Sequence, residues 1–451
     1  MIDEFGNRRM IIPAEVKGRY RQWKTKIHFV LLLIFLLLPW VQIDGTQAVL
    51  LDIPNRHFEL FGYVFLSHDS PLLFFLLISF AMAIMLVTAL WGRVWCGWAC
   101  PQTVFIDSVY RKIEYWIEGS YIKRRRLHDG PLTSEKFIKQ TLKWMAFAAV
   151  SSVFAHSFAA YFTGSRKLIE MMQTNPGENW TYFAMISFFT GLLLFNFGWF
   201  REQFCIIMCP YGRFQGVLMD NQTYNVTYDV SRGEPRKGIS ESGGKKGDCV
   251  SCNRCVQVCP TGIDIRNGLQ MECIGCTACM DACDEIMMKV KKPEGLISYR
   301  PALESKKVNW FRPRVAAYFI ILIFSLGGFA YGVNSHRSFS AIFLKTAEEP
   351  FQITPDGRVL NHLKVNLHNQ AKKDLRLRIS VNEKEKFLLT QAGEAHTVEA
   401  GKTSLVHLFV GFEKNRLTSN GTVKVQFIIE ELNSHEIQKY ETQLIGPLST
   451  P

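Results

Sequence analysis

Five apolar runs constrain this chain more than any other feature: Ile27–Ile43, Leu72–Trp91, Thr141–Phe162, Tyr182–Phe200 and Val315–Val333. Each is near the length of about 20 residues that crosses a hydrocarbon layer. Backbone inside lipid must satisfy its own hydrogen bonds, so the runs are expected as membrane-spanning helices. Five spans put the two termini on opposite sides. The first run follows a basic arm with Arg8, Arg9, Lys17, Arg19, Arg21, Lys24 and Lys26. Its exit, Gln42-Ile43-Asp44-Gly45, lacks a small-x-small cleavage pattern, so it reads as an uncleaved span and not a signal peptide.

Basic residues resist translocation, and their distribution gives an orientation. The connections after the second run (Arg93, Arg111, Lys112, Lys123 to Arg126, Lys136) and after the fourth (Arg201, Arg213 and more) are basic. Those after the first and third carry only Arg56, and Arg166 with Lys167. All four agree on a cytoplasmic N-terminus and an exported C-terminus. The net charge of +12 sits beside the apolar runs, without an aromatic-interleaved basic patch. It therefore reads as contact with lipid headgroups, and nucleic-acid binding is not expected.

The connection between the fourth and fifth runs holds ten of the twelve cysteines, eight of them in one stretch from Cys249 to Cys283. It reads Cys249-x2-Cys252-x2-Cys255-x3-Cys259-Pro260 and then Cys273-x2-Cys276-x2-Cys279-x3-Cys283. This is the spacing of a two-cluster bacterial ferredoxin, in which three sulfurs of each motif wrap one [4Fe–4S] cluster and the fourth reaches the other. Cys249, Cys252, Cys255 and Cys283 are expected to bind the iron of one cluster, and Cys259, Cys273, Cys276 and Cys279 that of the second. The second motif ends in Cys283-Asp284 without the proline. Structural zinc also uses paired C-x2-C knuckles, but not two interlocked groups of three plus one. A cytoplasmic placement suits the module, because thiols stay reduced there.

The other four cysteines form an internal repeat, Cys96-Gly97-Trp98-Ala99-Cys100-Pro101 after the second run and Cys205-Ile206-Ile207-Met208-Cys209-Pro210 after the fourth. On a helix an i, i+4 pair lies on one face, where Cys96 with Cys100 and Cys205 with Cys209 could share a metal or exchange electrons by thiol chemistry. Buried cysteine is also a small apolar filler, but two matched pairs at matched depth favour a redox or metal role. Soft thiolates select Cu(I), zinc or Fe–S centres, with copper the preferred reading, and Met208 could add a thioether. Pro101 and Pro210 suit the first turn of a following helix, and Gln102–Glu118 reads as an amphipathic helix along the membrane surface. His156, inside the third run, reads equally as a functional or a hydrogen-bonded structural histidine.

Asp220–Asp248, with its Ser240-to-Gly247 run of Ser, Gly and Lys, reads as a flexible approach to the cysteine motifs, since no phosphate-loop pattern supports a nucleotide site. After the fifth run the pattern changes to period two. Leu375, Leu377, Ile379 and Val381 alternate with polar residues, as do Val406 to Phe412 and Val423 to Ile429, with Leu363, Val365 and Leu367 a weaker case. Several such strands in about one domain length predict an immunoglobulin-like β-sandwich that binds a partner. The expected organisation is a basic arm (1–26), a membrane domain with four spans (27–219), an α+β ferredoxin-like insert (220–310), a fifth transmembrane helix (311–333) and an all-β exported domain (334–451).

In the order of its parts the chain resembles the FixG/RdxA/CcoG family, accessory proteins of cbb3-type cytochrome c oxidase. The resemblance spans essentially the whole chain and rests on the five runs, the two C-x3-C-P pairs, the double-cluster motif and the β-rich tail. It implies a protein of the bacterial inner membrane with a periplasmic immunoglobulin-like tail, two [4Fe–4S] clusters and cupric reductase activity. Copper carriers and oxidase assembly factors are the implied partners, and the electron donor stays unassigned. Cys96, Cys100, Cys205 and Cys209 are the catalytic candidates. Two other readings share parts of the pattern: a NapH-like quinol dehydrogenase, which also carries C-x3-C-P pairs, and a non-enzymatic assembly scaffold.

Overall fold

The structure, a computed structural model, describes residues 11–447 except 44, 56, 66–69, 238–246, 302–308, 335–337, 346–350, 372, 384 and 392. Contacts divide the chain into two compact units. One comprises Met1–Gln42, Gln47–Ile53 and Pro71–Phe329, and the other Ile43–Thr46, Pro54–Ser70 and Ala330–Pro451.

Five helices in the described residues are long and apolar enough to cross a membrane: Arg19–Trp40, Pro71–Trp91, Ser134–Thr163, Trp180–Phe200 and Pro313–Asn334. They coincide with the five apolar runs. The first begins well before Ile27 because its basic start is compensated. Asp281 accepts hydrogen bonds from the backbone N–H groups of Tyr20 (3.1 Å) and Arg21 (2.7 Å), a carboxylate cap on orphan helix donors. Lys24, one turn on, is buried with its Nζ 2.9 Å from Asp107. The third helix starts with Thr133, whose hydroxyl accepts from the Lys136 N–H at 3.2 Å. Large side chains such as Phe74, Phe80, Phe319, Ile320 and Phe324 stay exposed along these helices, as expected of surfaces whose solvent is lipid.

The segment after Cys100 departs from the interfacial reading. Helix Pro101–Phe105 passes through a π-helical turn, Ile106–Tyr110, into Arg111–Glu118. Ile106, Tyr110 and Ile113 are buried against Phe147, Phe154 and Phe197 of the third and fourth long helices. The Tyr110 and Phe147 rings lie 4.9 Å apart, and the Tyr110 hydroxyl meets Ser151 Oγ at 2.7 Å. The polar face is buried as well, because Asp107 and Glu114 are matched by Arg111 from the same segment and by Arg21, Lys24, Arg124 and Arg201 from other elements. Sequence periodicity saw the two faces but not the cations that allow both to be inside.

The cysteine-rich segment builds on strands Tyr224–Tyr228 and Ile297–Pro301, paired antiparallel from either side of the motifs, and on helix Ala278–Lys289. Tyr224–Tyr228 corrects the flexible reading of Asp220–Asp248. Ser240–Lys246 lie outside the described residues.

The second unit's sandwich has two antiparallel sheets. One orders strands Phe387–Gln391, Thr403–Glu413, Arg358–Asn369 and Phe339–Lys345, and the other His396–Val398, Leu375–Val381, Thr422–Glu431 and Ile437–Ile445. The alternating residues from the sequence meet in one core, where Leu363, Val365, Leu377, Ile379, Leu408, Val410, Phe427 and Ile429 are all buried. Asn361, from the first sheet, donates to the Ile445 carbonyl (2.7 Å) and accepts its N–H (2.9 Å), stitching the second sheet to it.

Candidate iron–sulfur and thiol site

The two cysteine motifs fold around two separate apolar cavities. One is lined by Cys249, Cys252, Cys255 and Cys283 with Tyr228, Ile286, Met287, Leu296 and Ile297. The other is lined by Cys259, Cys273, Cys276 and Cys279, with Cys255 at its border and Val226, Ile263, Ile265 and Ile274 completing the wall. The fourth cysteine of each motif therefore lines the cavity of the other motif's triplet. Among the described residues no three His, Cys, Asp or Glu side chains close on a single metal ion. Four sulfurs spread around a cavity suit a cubane whose irons occupy alternate corners, one for each thiolate, whereas tetrahedral zinc needs its ligands gathered on one point. Burial pushes the Cys255 thiol up to about 11 and the Cys273 and Cys283 thiols up to about 12. Without metal these thiols hold their protons at neutral pH, and coordination has to displace them.

The C-x3-C-P pairs do not lie on one helix face as expected. Cys96 rides on helix Val94–Trp98, and Cys100, with φ −61° and ψ 128°, is the N-cap of the helix that starts at Pro101. Cys205 rides on the π-helical turn Phe204–Met208, and Cys209, with φ −70° and ψ 111°, caps Pro210–Leu218. The reason is local: a residue before proline is pushed out of the α region, so the proline at N1 breaks the helix at the second cysteine. The second thiol of each pair thereby gains a helix N-terminus. The backbone N–H groups of Gln102 and Thr103, at the start of that helix, partly offset the upward push of burial on the Cys100 thiol. Burial raises Cys96 to about 11 despite a hydrogen bond from Gln215 Nε2 at 3.1 Å, and raises Cys205 further.

The two pairs come together. Cys96 lies within electrostatic reach of Cys100 and Cys209, and Cys205 within reach of all three. They do not form a ready three-ligand ion site, as the absence noted above requires. Met208 is 61% exposed and turned away from burial. His156 bonds its Nδ1 to the Ser152 carbonyl at 2.8 Å one turn back, the structural reading of that residue.

The thiol pairs also touch the cysteine-rich module directly. A Cβ built on Gly97, between Cys96 and Cys100, would lie 2.7 Å from the Gly275 carbonyl carbon and 2.9 Å from the Cys276 nitrogen. Only glycine lets the helix backbone reach the ligand loop this closely. Gly275 reciprocates with φ +65°, its own Cβ position 2.9 Å from the Arg93 carbonyl oxygen. Arg93, itself buried, donates to the carbonyls of Cys273 (2.8 Å), Gly212 (3.1 Å) and Met271. It joins the end of the second span, the ligand loop and the helix after Cys209. The sequence offered Arg93 only as one of the basic residues that set the orientation and did not single out Gly97, Gly275 or Gln215; the glycine inside Cys96-Gly97-Trp98-Ala99-Cys100 was the one available signal.

Next to this junction lies a cavity of about 330 Å³ lined by Cys205, Cys276, Thr103, Asp107 and the arm residues Pro13 to Lys17. Asp107 forms its deepest charge centre, bound by Arg21 (2.6 Å), Lys24 (2.9 Å) and Arg111 (3.5 Å), which hold its carboxyl well below the usual carboxylate range against the opposing effect of burial.

Comparison with known proteins agrees along the length of the chain. Residues 200–302 match the 4Fe-4S dicluster domain family, 72–121 a 4Fe-4S binding domain, and 329–447 the Ig-like fold at the C-terminal of FixG. Protein RdxA of Cereibacter sphaeroides is 35% identical over 426 residues, covering 90% of each chain. Nitrogen fixation protein FixG of Rhizobium meliloti is 32% identical over 98% of this chain and 94% of its own. A crystal structure of a FixG-related protein from Vibrio parahaemolyticus aligns over 25% of this chain with TM-score 0.22 and 15% identity. The chain is a membrane protein with an iron–sulfur electron-transfer module, and it belongs to the FixG/RdxA family.

Proposed function

We propose that this protein is a cupric reductase of the bacterial inner membrane that moves electrons from two [4Fe–4S] clusters, through its paired cysteines, to Cu(II). In this reading Cys249, Cys252, Cys255 and Cys283 hold one cluster and Cys259, Cys273, Cys276 and Cys279 the other, and each bound cluster supplies a one-electron couple. The observation that carries the reading is the backbone contact of Gly97 with Gly275 and Cys276, which sets Cys96 and Cys100 directly against a ligand loop.

Cu(II) favours nitrogen and oxygen ligands and Cu(I) favours soft sulfur, so one electron changes which ligands hold the metal. Cys96, Cys100, Cys205 and Cys209 offer soft donors where that electron arrives, and at Cys100 the helix N-terminus partly offsets the burial that raises its thiol. The step balances without atom transfer: a reduced one-electron carrier protein loses an electron and Cu(II) becomes Cu(I). The basic connections support the reading in which this site lies at the cytoplasmic membrane face and the β-sandwich in the periplasm. The sandwich would there meet copper carriers and assembly factors of a cbb3-type oxidase.

The test uses the full chain with clusters reconstituted, reduced and freed of reductant, mixed anaerobically with Cu(II) nitrilotriacetate and a Cu(I)-specific chromophore. One Cu(I) should form per stored electron, and Cys205→Ser with Cys209→Ser should slow its formation. Clusters that stay reduced with no Cu(I) formed overturn the proposal.

A further inference from the structure

The two thiol-lined cavities sit in opposite electrostatic surroundings. Beside the Cys259, Cys273, Cys276 and Cys279 set lies Arg93, buried to 8% exposure. Its N–H groups go to three backbone carbonyls and the Met271 sulfur, and to no carboxylate among the described residues. A buried, unpaired guanidinium is costly unless something nearby is negative. The groups within its electrostatic reach are Cys273 and Cys96. Lys24 and Arg111 act on Cys276 from the other side; both share Asp107 with Arg21, and Arg111 also meets Glu202, which leaves that network with more cations than carboxylates.

The Cys249, Cys252, Cys255 and Cys283 set has the reverse arrangement. Two cations line this cavity: Arg266 is spent on Asp264, which accepts Nε at 2.8 Å and Nη2 at 2.6 Å, and Arg254 turns to the solvent-exposed Glu15 carbonyl, to which it donates at 2.8 Å, where water screens its charge. Asp284, next to Cys283, accepts the Gly295 N–H at 2.8 Å and makes no ion pair among the described residues. Cys252 is exposed, whereas no cysteine of the other set is.

We infer that the module is polarised: electrons enter at the exposed Cys249–Cys252–Cys255–Cys283 set and leave through the Cys259–Cys273–Cys276–Cys279 set, which Arg93 makes the more easily reduced of the two. The inference rests on the ligand assignment proposed above. Reduction adds negative charge, so an uncompensated cation at Cys273 and Cys276 favours the reduced state there, while the Asp284 carboxylate disfavours it at Cys283. With both clusters bound, one electron would pass from a reduced one-electron carrier protein to the first set, from there to the second, and out across the Gly97 contact to Cu(II) held at the thiols, which would become Cu(I). Each transfer would oxidise one centre as it reduces the next, and no carbon, sulfur or hydrogen bond would be made or broken. Arg93 is a positioning residue, acting on potential and on the approach of the ligand loop.

The experiment is a redox titration of the reconstituted full chain followed by EPR, with the two signals assigned by Cys252→Ser and Cys276→Ser. The signal perturbed by Cys276→Ser should appear first on reduction. Arg93→Met should lower that cluster's reduction equilibrium at least tenfold, which is about 59 mV for one electron, and leave the other unmoved. Arg93→Lys should restore most of the shift. If Arg93→Met prevents cluster insertion, Asp284→Asn is the second arm, expected to ease reduction of the other cluster alone. The inference fails if the exposed cluster reduces first, or if the substitution that assembles moves both midpoints equally or neither. These midpoints are read without copper, so failure of the cupric reaction would not produce any of these outcomes.

Discussion

The contact at Gly97 gives the sharpest perturbation of the proposed route. Gly97→Ala adds one methyl whose carbon would start 2.7 Å from the Gly275 carbonyl carbon and 2.9 Å from the Cys276 nitrogen. Ordinary contact between such atoms is about 3.5–4.0 Å, so helix and loop must separate by about 1 Å. Both obstacles are backbone atoms, and no rotamer change relieves them. Overpacking of this kind costs about 1–3 kcal/mol, and a misplacement of about 1 Å at a reacting centre can cost on the order of 100-fold in rate. The assay is anaerobic stopped-flow reoxidation of the reduced clusters by Cu(II) nitrilotriacetate, run beside thermal unfolding. Gly191→Ala is the control, since a Cβ there meets nothing within 4 Å. Gly97→Ala should reoxidise about 10- to 100-fold more slowly with its cluster absorbance retained, and Gly191→Ala at the parent rate. Reoxidation of Gly97→Ala at the parent rate, with unchanged stability, would refute the idea that this contact carries the electrons.

Other consequences concern the scaffold. Asp107→Asn leaves Arg21, Lys24 and Arg111 without their shared carboxylate, and loss of one partner from a buried charge group costs about 3–5 kcal/mol, read as a lowered unfolding temperature in detergent. The depressed carboxyl of Asp107 also sets a pH signature. Its folded value lies below the unfolded value of about 3.9, so its stabilisation is complete above that value and is lost as pH falls toward the folded one; Asp107→Asn should flatten acid unfolding in that window. Asp281→Ala removes the carboxylate cap at the start of the first span and should cost about 0.5–2 kcal/mol, with greater protease access to the arm.

How much was legible in advance varied with the range of the interaction. The apolar runs predicted all five long helices, because crossing lipid depends on composition along one segment. The alternation at Leu375–Val381, Val406–Phe412 and Val423–Ile429 predicted sandwich strands, because a half-buried strand writes its period into the sequence. Strands Phe387–Gln391 and Ile437–Ile445 escaped notice: the first is short, and exposed positions break the apolar alternation of the second. The i, i+4 reading of the cysteine pairs missed that proline restricts the residue before it. Gln102–Glu118 was misjudged as interfacial because Arg21 and Arg201, which help to neutralise Asp107 and Glu114, lie 86 and 87 residues away in sequence.

By itself the sequence determined what is local or counted: five spans, eight cysteines in a two-cluster spacing, two matched C-x3-C-P pairs and a β-rich tail. Their identities are fixed by short-range chemistry, and so they can be read from spacing and period. Only the tertiary structure decided that the two pairs converge, that Gly97 brings one of them against the Cys273–Cys276 loop, and that Arg93 stands uncompensated at one cavity while Asp284 stands at the other. Those facts depend on which backbones approach and which charges are left over after pairing. Both are sums over residues distant in the chain, and no single stretch of sequence contains them.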